Sequence, residues 1–199
     1  MLAPLPAELH PTLEHWQALE RRTKQEFDRG MTNGKIDHGF WWTFHTYLLQ
    51  QIGKPDDDVR RVLVENTQNS ANWDQILAGT RESLDRIRKN FSIAVISNAD
   101  GRIDAVLQRC GICDCFAAIT DSGIVGHEKP HPAIFQAALQ QMKADPAESL
   151  YVGDVYSVDY AGATGAGMQA LLFDVAGAYK DRDLPRVESM AELEGWLAK

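Results

Sequence analysis

Ser149 to Met168 reads SLYVGDVYSVDYAGATGAGM, and no other stretch limits the possible folds so tightly. An apolar run, Leu150-Tyr151-Val152, stops at Gly153-Asp154; Asp159 follows, and Gly162, Ala163, Gly165, Ala166 and Gly167 open a helix. An apolar strand that stops at a carboxylate puts that acid at the carboxyl edge of a parallel sheet, where open α/β folds build their sites. Asp159 lies one helical turn further on, so two negative charges converge, which is costly unless a cation joins them. A hard, oxygen-ligated ion such as Mg²⁺ is the economical inference, with Asp154 and Asp159 as its candidate ligands. The small residues that follow let the helix pack closely on the sheet.

At 199 residues and 44% hydrophobic content, the chain can bury one good core, or a core and a small accessory domain. A net charge of -8 argues against nucleic acid as a partner, because a nucleic-acid footprint is basic. The opening MLAPLPAELH has neither a basic start nor a long apolar run, so no leader or membrane span is expected and cytoplasm is the default. Three cysteines, Cys110, Cys113 and Cys115, have a C-x2-C-x-C spacing but no fourth soft ligand nearby, and are read as reduced thiols.

Residues 6–28 read as a helix with Leu13, Trp16, Leu19 and Phe27 along it, broken at Gly30 to Gly34. Asp37 is expected to cap a second, aromatic-rich helix ending at Gly53-Lys54-Pro55, and Asp56 to start a third. A fourth spans 81–90. Residues 1–78 are thus a helical domain without strand signals, in which Trp41, Trp42, Phe44 and Tyr47 read as core. Residues 79–199 alternate: strands at 92–96, 117–120, 150–152 and 169–174, with helices at 102–110, 133–142 and 189–197. Strands alternating with helices mean a parallel sheet flanked by helices.

Three strand ends or their loops then meet at one edge, offering Ser97-Asn98, Lys129, and Asp154 with Asp159. The Ser97 hydroxyl and the N–H groups that begin the following helix suit phosphate oxygens, and Lys129 brings a cation to the same edge. A metal, a lysine and a hydroxyl around one anion are the apparatus of phosphoryl transfer, where positioning and charge stabilisation carry most of the catalysis.

With these residues in view, the chain resembles the haloacid dehalogenase-like hydrolase superfamily, in its phosphatase type with a helical cap. AVISN with Ser97 is similar to the family's second motif, HEKPHPAIF with Lys129 to its third, and GDVYSVD with Asp154 and Asp159 to its fourth. The resemblance implies a Rossmann-like α/β core, a cap made by the first eighty residues, bound Mg²⁺, and hydrolysis of a small phosphorylated metabolite. Ser97, Asn98 and Lys129 would act on the phosphoryl group and Asp154 and Asp159 at the metal. A first motif, an apolar strand ending in Asp-x-Asp, has no counterpart before Trp16. The resemblance therefore implies a chain that binds metal and phosphate but lacks its attacking carboxylate. It also implies that the central strand of the sheet is missing, between the strands that end at Ser97 and Asp154.

Such a gap leaves buried N–H and C=O groups unpaired, at roughly 1–3 kcal/mol each. The strands are expected to close up, to be bridged by residues 1–5 or water, or to take a strand from another chain, which opens a route to homo-oligomers. Asp56-Asp57-Asp58 has no preceding strand and reads as a helix start. Leu171 to Gly177 imitates the missing motif, but Ala176 stands where its second acid belongs. His127 and His131 read as polar surface. The rival readings are a non-catalytic binding protein of the same fold and a metal-independent dehalogenase, against which Gly153-Asp154 counts. A receiver domain fails because its acidic site precedes its hydroxyl and lysine.

Overall fold

The structure is a computed structural model that describes Leu5, Pro6 and residues 9–32 and 39–199. Helix α1 (Leu13–Thr32) starts later than the expected residue 6, because Pro11 precedes it and the Thr12 hydroxyl accepts the His15 N–H at 3.3 Å. It runs through Gly30 instead of breaking there. The expected Asp37 cap lies outside the described residues. Helix α2 (Phe40–Gln51) ends at Gly53, whose φ of 69° only glycine adopts cheaply, and Lys54 N–H returns to the Leu49 carbonyl. Helix α3 (Asp57–Gln68) is capped by Asp56, whose carboxylate accepts the Asp58 and Val59 N–H groups, so this acidic run is a helix start as read from the sequence.

These three helices enclose a cluster of their own: Leu5, Leu19, Phe44, Leu48, Leu49 and Leu63, with Trp16, Trp41 and Tyr47 packed against it. Trp42 instead lies 41% exposed under the Arg60 guanidinium. Buried at the centre is His45. Its Nε2–H donates to Thr67 Oγ1 at 2.9 Å, since that hydroxyl donates to the Leu63 carbonyl.

The remaining elements alternate: α4 (Thr80–Ile87), β1 (Ala94–Ser97), α5 (Ile103–Arg109), β2 (Ala118–Asp121), α6 (Ser122–Val125), α7 (Pro132–Met142), β3 (Leu150–Gly153), α8 (Ala161–Gly165), β4 (Gln169–Phe173), β5 (Arg186–Val187) and α9 (Met190–Leu197). Every strand pairing is parallel, as expected. Strand β5, two residues long, carries too little pattern to be read from sequence. The sheet is in two parts, β1 with β2 and β3-β4-β5 in that order, and β1 is not hydrogen-bonded to β3. Of the outcomes expected for the gap, closure into one ladder is thus not what the structure adopts. Leu5 belongs to the helical lobe, and residues 1–4 lie outside the described ones. Helix α7 holds the halves together: Ile134 and Phe135 pack in one cluster with Ile96 of β1 and Tyr151 of β3. Helix α8 approaches close because Gly162 has no Cβ, which would stand 2.9 Å from the Phe135 ring. Among the described residues no helix is long and apolar enough to cross a membrane.

Burial pushes the His45 pKa down from 6.5 to about 4. A histidine that stays neutral when folded but protonates at higher pH when unfolded stabilises the fold fully above pH 6.5, and loses that contribution as pH falls toward 4. The full shift corresponds to about 3 kcal/mol. Urea unfolding of the wild type and of His45→Leu should therefore diverge in slope against pH across this window, the variant lacking the steep acid loss.

Candidate active site

Four loops at the carboxyl edge of the strands form one polar network. After β1, the turn 98–102 is pinned from β2. Asp121, 2% exposed, accepts the N–H groups of Gly101 at 3.0 Å, Gly123 at 2.8 Å and Ile103 at 3.1 Å. Ser122 Oγ accepts the Ala99 N–H and donates to the Ala99 carbonyl. Gly123 is required here, since a Cβ would stand 2.6 Å from the Gly101 nitrogen. Two N–H groups at the start of α5, which the sequence reading offered to phosphate, are thereby taken by Asp121. The Ser97 hydroxyl makes no hydrogen bond within the described residues and remains available to a ligand.

Asn98 grips the backbone of Lys129 from both sides: Oδ1 accepts its N–H at 2.7 Å and Nδ2 donates to its carbonyl at 3.0 Å. The lysine side chain, 12% exposed, then runs inward, where Nζ donates to Asp159 Oδ1 at 2.8 Å and to the Tyr151 hydroxyl at 2.9 Å. Burial works to lower its pKa, but the Asp159 charge and the Tyr151 oxygen outweigh it and raise the value, so Lys129 is a permanent cation.

Asp159 sits in a π-helical turn, Tyr156–Tyr160, and is 3% exposed. Oδ1 accepts from Lys129 and from the Tyr151 hydroxyl; Oδ2 accepts the N–H groups of Asp154 and Val155 at 3.0 and 2.9 Å. Burial alone would raise its pKa, but Lys129 and these donors hold it below the ordinary carboxylate range. Gly153 makes the arrangement possible, because a Cβ there would lie 2.5 Å from Asp159 Cβ and Cγ. Both oxygens of Asp159 are thus filled by the chain's own donors, and its geometry orients the turn that carries Asp154.

The Asp154 side chain is 57% exposed, and its Oδ2 lies 2.9 Å from Lys24 Nζ. Lys24 comes from α1, is 1% exposed, and also meets Glu20 at 2.6 Å. The sequence reading missed it. The signal was a polar face on α1 with the spacing 21, 24, 25, 28: Arg21 donates to the Ala176 carbonyl, Gln25 to the Ala178 carbonyl, and Asp28 accepts the Ser157 N–H. This face lies on the edge that carries Asp154.

Asp174, 0% exposed, accepts the Ala178 and Tyr179 N–H groups and organises its own loop. His127 and His131 are exposed and stacked at 4.2 Å, and His131 caps α7. The three cysteines are free thiols.

Around the edge, Lys24 is paired with Glu20 and Asp154, Lys129 with Asp159, and Arg182 lies 3.9 Å from Asp28. Of the four acids only Asp154 has a side chain more than half exposed. Among the described residues no three His, Cys, Asp or Glu side chains gather round one point. Asp154 therefore fits a hard ion as a single protein carboxylate, a mode Mg²⁺ accepts when water and substrate oxygens fill the other positions.

A family model described as haloacid dehalogenase-like hydrolase matches residues 10–167. The chain belongs to the haloacid dehalogenase-like hydrolases. One relative, haloacid dehalogenase-like hydrolase domain-containing protein 3 of Mus musculus, is 35% identical over 158 residues, covering 75% of this chain and 59% of that protein. The chain thus spans about three fifths of the length of this relative. Glyceraldehyde 3-phosphate phosphatase of Methanothermobacter thermautotrophicus is 36% identical over 105 residues, 52% of this chain and 46% of that enzyme. The haloacid dehalogenase-like fold is matched in the solved structure of the HAD-hydrolase YfnB of Bacillus subtilis, bound to magnesium. That likeness has a TM-score of 0.64 at 18% identity and covers 96% of this chain and 86% of that one.

In this haloacid dehalogenase-like chain the Asp121 anchor stabilises the turn beside Ser97. Asp121→Ala leaves three N–H groups without their acceptor, and at roughly 1–3 kcal/mol for each that stays buried, a loss of about 3 kcal/mol is expected in urea unfolding.

Proposed function

We propose that the site belongs to a Mg²⁺-dependent phosphohydrolase acting on a small phosphate monoester. The observation that supports this most is the continuous hydrogen-bonded path Asn98, Lys129, Asp159, Asp154, which gathers residues from three strand ends at one edge. In this reading the free Ser97 hydroxyl and the Asn98 N–H hold phosphoryl oxygens, and Lys129 neutralises charge that builds in the transition state. Asp154 carries Mg²⁺, with Asp159 holding its turn in place. When bound, the ion supplies positive charge against the phosphoryl oxygens. The name of the Methanothermobacter thermautotrophicus relative, glyceraldehyde 3-phosphate phosphatase, is in keeping with a small substrate.

The attacking group is the weak part of the constellation. Asp159 and Asp28 are buried and hydrogen-bonded, and Asp154 is committed to the cation. The chain is therefore expected to bind Mg²⁺ and phosphate yet turn over slowly, since none of these described site carboxylates is free for covalent attack. A non-catalytic binding role is the second reading, favoured by the lysine that already sits on Asp154.

Two measurements decide. Calorimetry with inorganic phosphate should show binding that needs Mg²⁺ and weakens about tenfold or more in Asp154→Asn, a single charged contact being worth about 1.5–3 kcal/mol. Hydrolysis of p-nitrophenyl phosphate should be slow in the same samples. Absence of Mg²⁺-supported phosphate binding would refute the site, and brisk Asp154-dependent hydrolysis would refute the missing attacking group.

A further inference from the structure

Lys24 is the only described group that reaches the Asp154 carboxylate from the helical lobe, and its place there is unusual for a lysine. It is 1% exposed, and its ammonium is held by two carboxylates, Asp154 at 2.9 Å and Glu20 at 2.6 Å. Asp154, by contrast, is open to solvent on its other side, with 57% of its side chain exposed. A divalent ion approaching from that side meets a carboxylate already paired with an ammonium. Like charges in contact with one carboxylate repel. Glu20, four residues earlier on the same helix, gives Lys24 a second carboxylate to keep if Asp154 is lost. The arrangement therefore has two states, with Asp154 shared by Lys24 and Glu20, or with Lys24 left to Glu20 and Asp154 given to the ion.

We infer that Lys24 is a tethered cation that competes with a divalent metal ion for Asp154, so that metal binding is coupled to release of one of the bonds by which α1 grips the core. This rests on the reading of Asp154 as the metal ligand. The other bonds of that helix face, from Arg21 and Gln25 to the carbonyls of Ala176 and Ala178 and from the Ser157 N–H to Asp28, do not involve the Asp154 carboxylate. Lys24 is thus the one member of the face whose bond depends on what Asp154 holds. In this role it is a positioning residue, setting the metal affinity and the hold of α1 without touching the reacting atoms.

Calorimetric titration of the full chain with Mg²⁺ alone tests this, without substrate and without reference to activity. Lys24→Gln should raise Mg²⁺ affinity at least fivefold, and Lys24→Arg, which keeps the charge, should leave it near the wild-type value. Asp154→Asn should abolish the binding. If Asp154→Asn binds Mg²⁺ as wild type does, the ligand reading fails and the competition fails with it. If binding needs Asp154 but Lys24→Gln binds no more tightly, the competition alone is overturned. Should Lys24→Gln fail to fold, acetic anhydride labelling of the unaltered protein decides. Saturating Mg²⁺, by leaving Lys24 with one carboxylate in place of two, should raise its acetylation severalfold relative to the exposed Lys143, and unchanged protection would overturn the inference.

Discussion

The buried pair of Lys129 and Asp159 is the interaction on which the site hangs. At 2.8 Å, with side chains 12% and 4% exposed, neither ion could stand there alone. Their attraction is spent against desolvation, so the pair is better understood as fixing geometry than as adding stability. Through Lys129 it fastens the loop that Asn98 grips, and through the Asp159 Oδ2 it aims the backbone of Asp154 and Val155. Tyr151, donating to Asp159 while accepting from Lys129, leaves no polar atom of the pair without a partner. Three segments distant in sequence are thus held in one arrangement before any ligand arrives.

The parallel sheet does this without being continuous. Strands β1 and β3 are not joined by hydrogen bonds, and β1 is only half-covered, whereas Ala170, Leu171 and Leu172 of β4 are buried. What joins the halves is the cluster under them, where Ile134 and Phe135 of α7 meet Ile96 and Tyr151. The polar bridge at the carboxyl edge and the apolar one beneath act together, and both run through the segment that begins at Lys129. The helical lobe is fastened to the same edge by the polar face of α1, so the site is walled by residues from both lobes.

Much of this was legible along the chain. The strand that ends at Gly153-Asp154 carries its own signal, because an apolar run, a glycine and an acid form a local pattern whose cause is local. The same holds for β1 before Ser97, for Asp56 as a helix cap and, Trp42 apart, for the aromatic core of α2. Lys129 was legible through its ordered place among the motifs. Lys24, Tyr151 and Asp121 were not, because a lysine on a polar helix, a tyrosine in a strand and an aspartate before a turn are common, and only their partners make them special. Asp159 was legible as a member of the site but not in its role, since the count of donors around its two oxygens is a property of the folded packing.

The sequence by itself determined the α/β alternation, the strand ends that carry Ser97 and Asp154, the family and the acidic character of the site, all of which follow from patterns a few residues long. Tertiary structure decided that the sheet stays split, that Asp159 faces inward to four donors, and that an ammonium from α1 lies on Asp154. Those outcomes depend on which distant surfaces meet and how much water they exclude, and burial is what ties an ordinary lysine or aspartate to the few partners that can hold its charge.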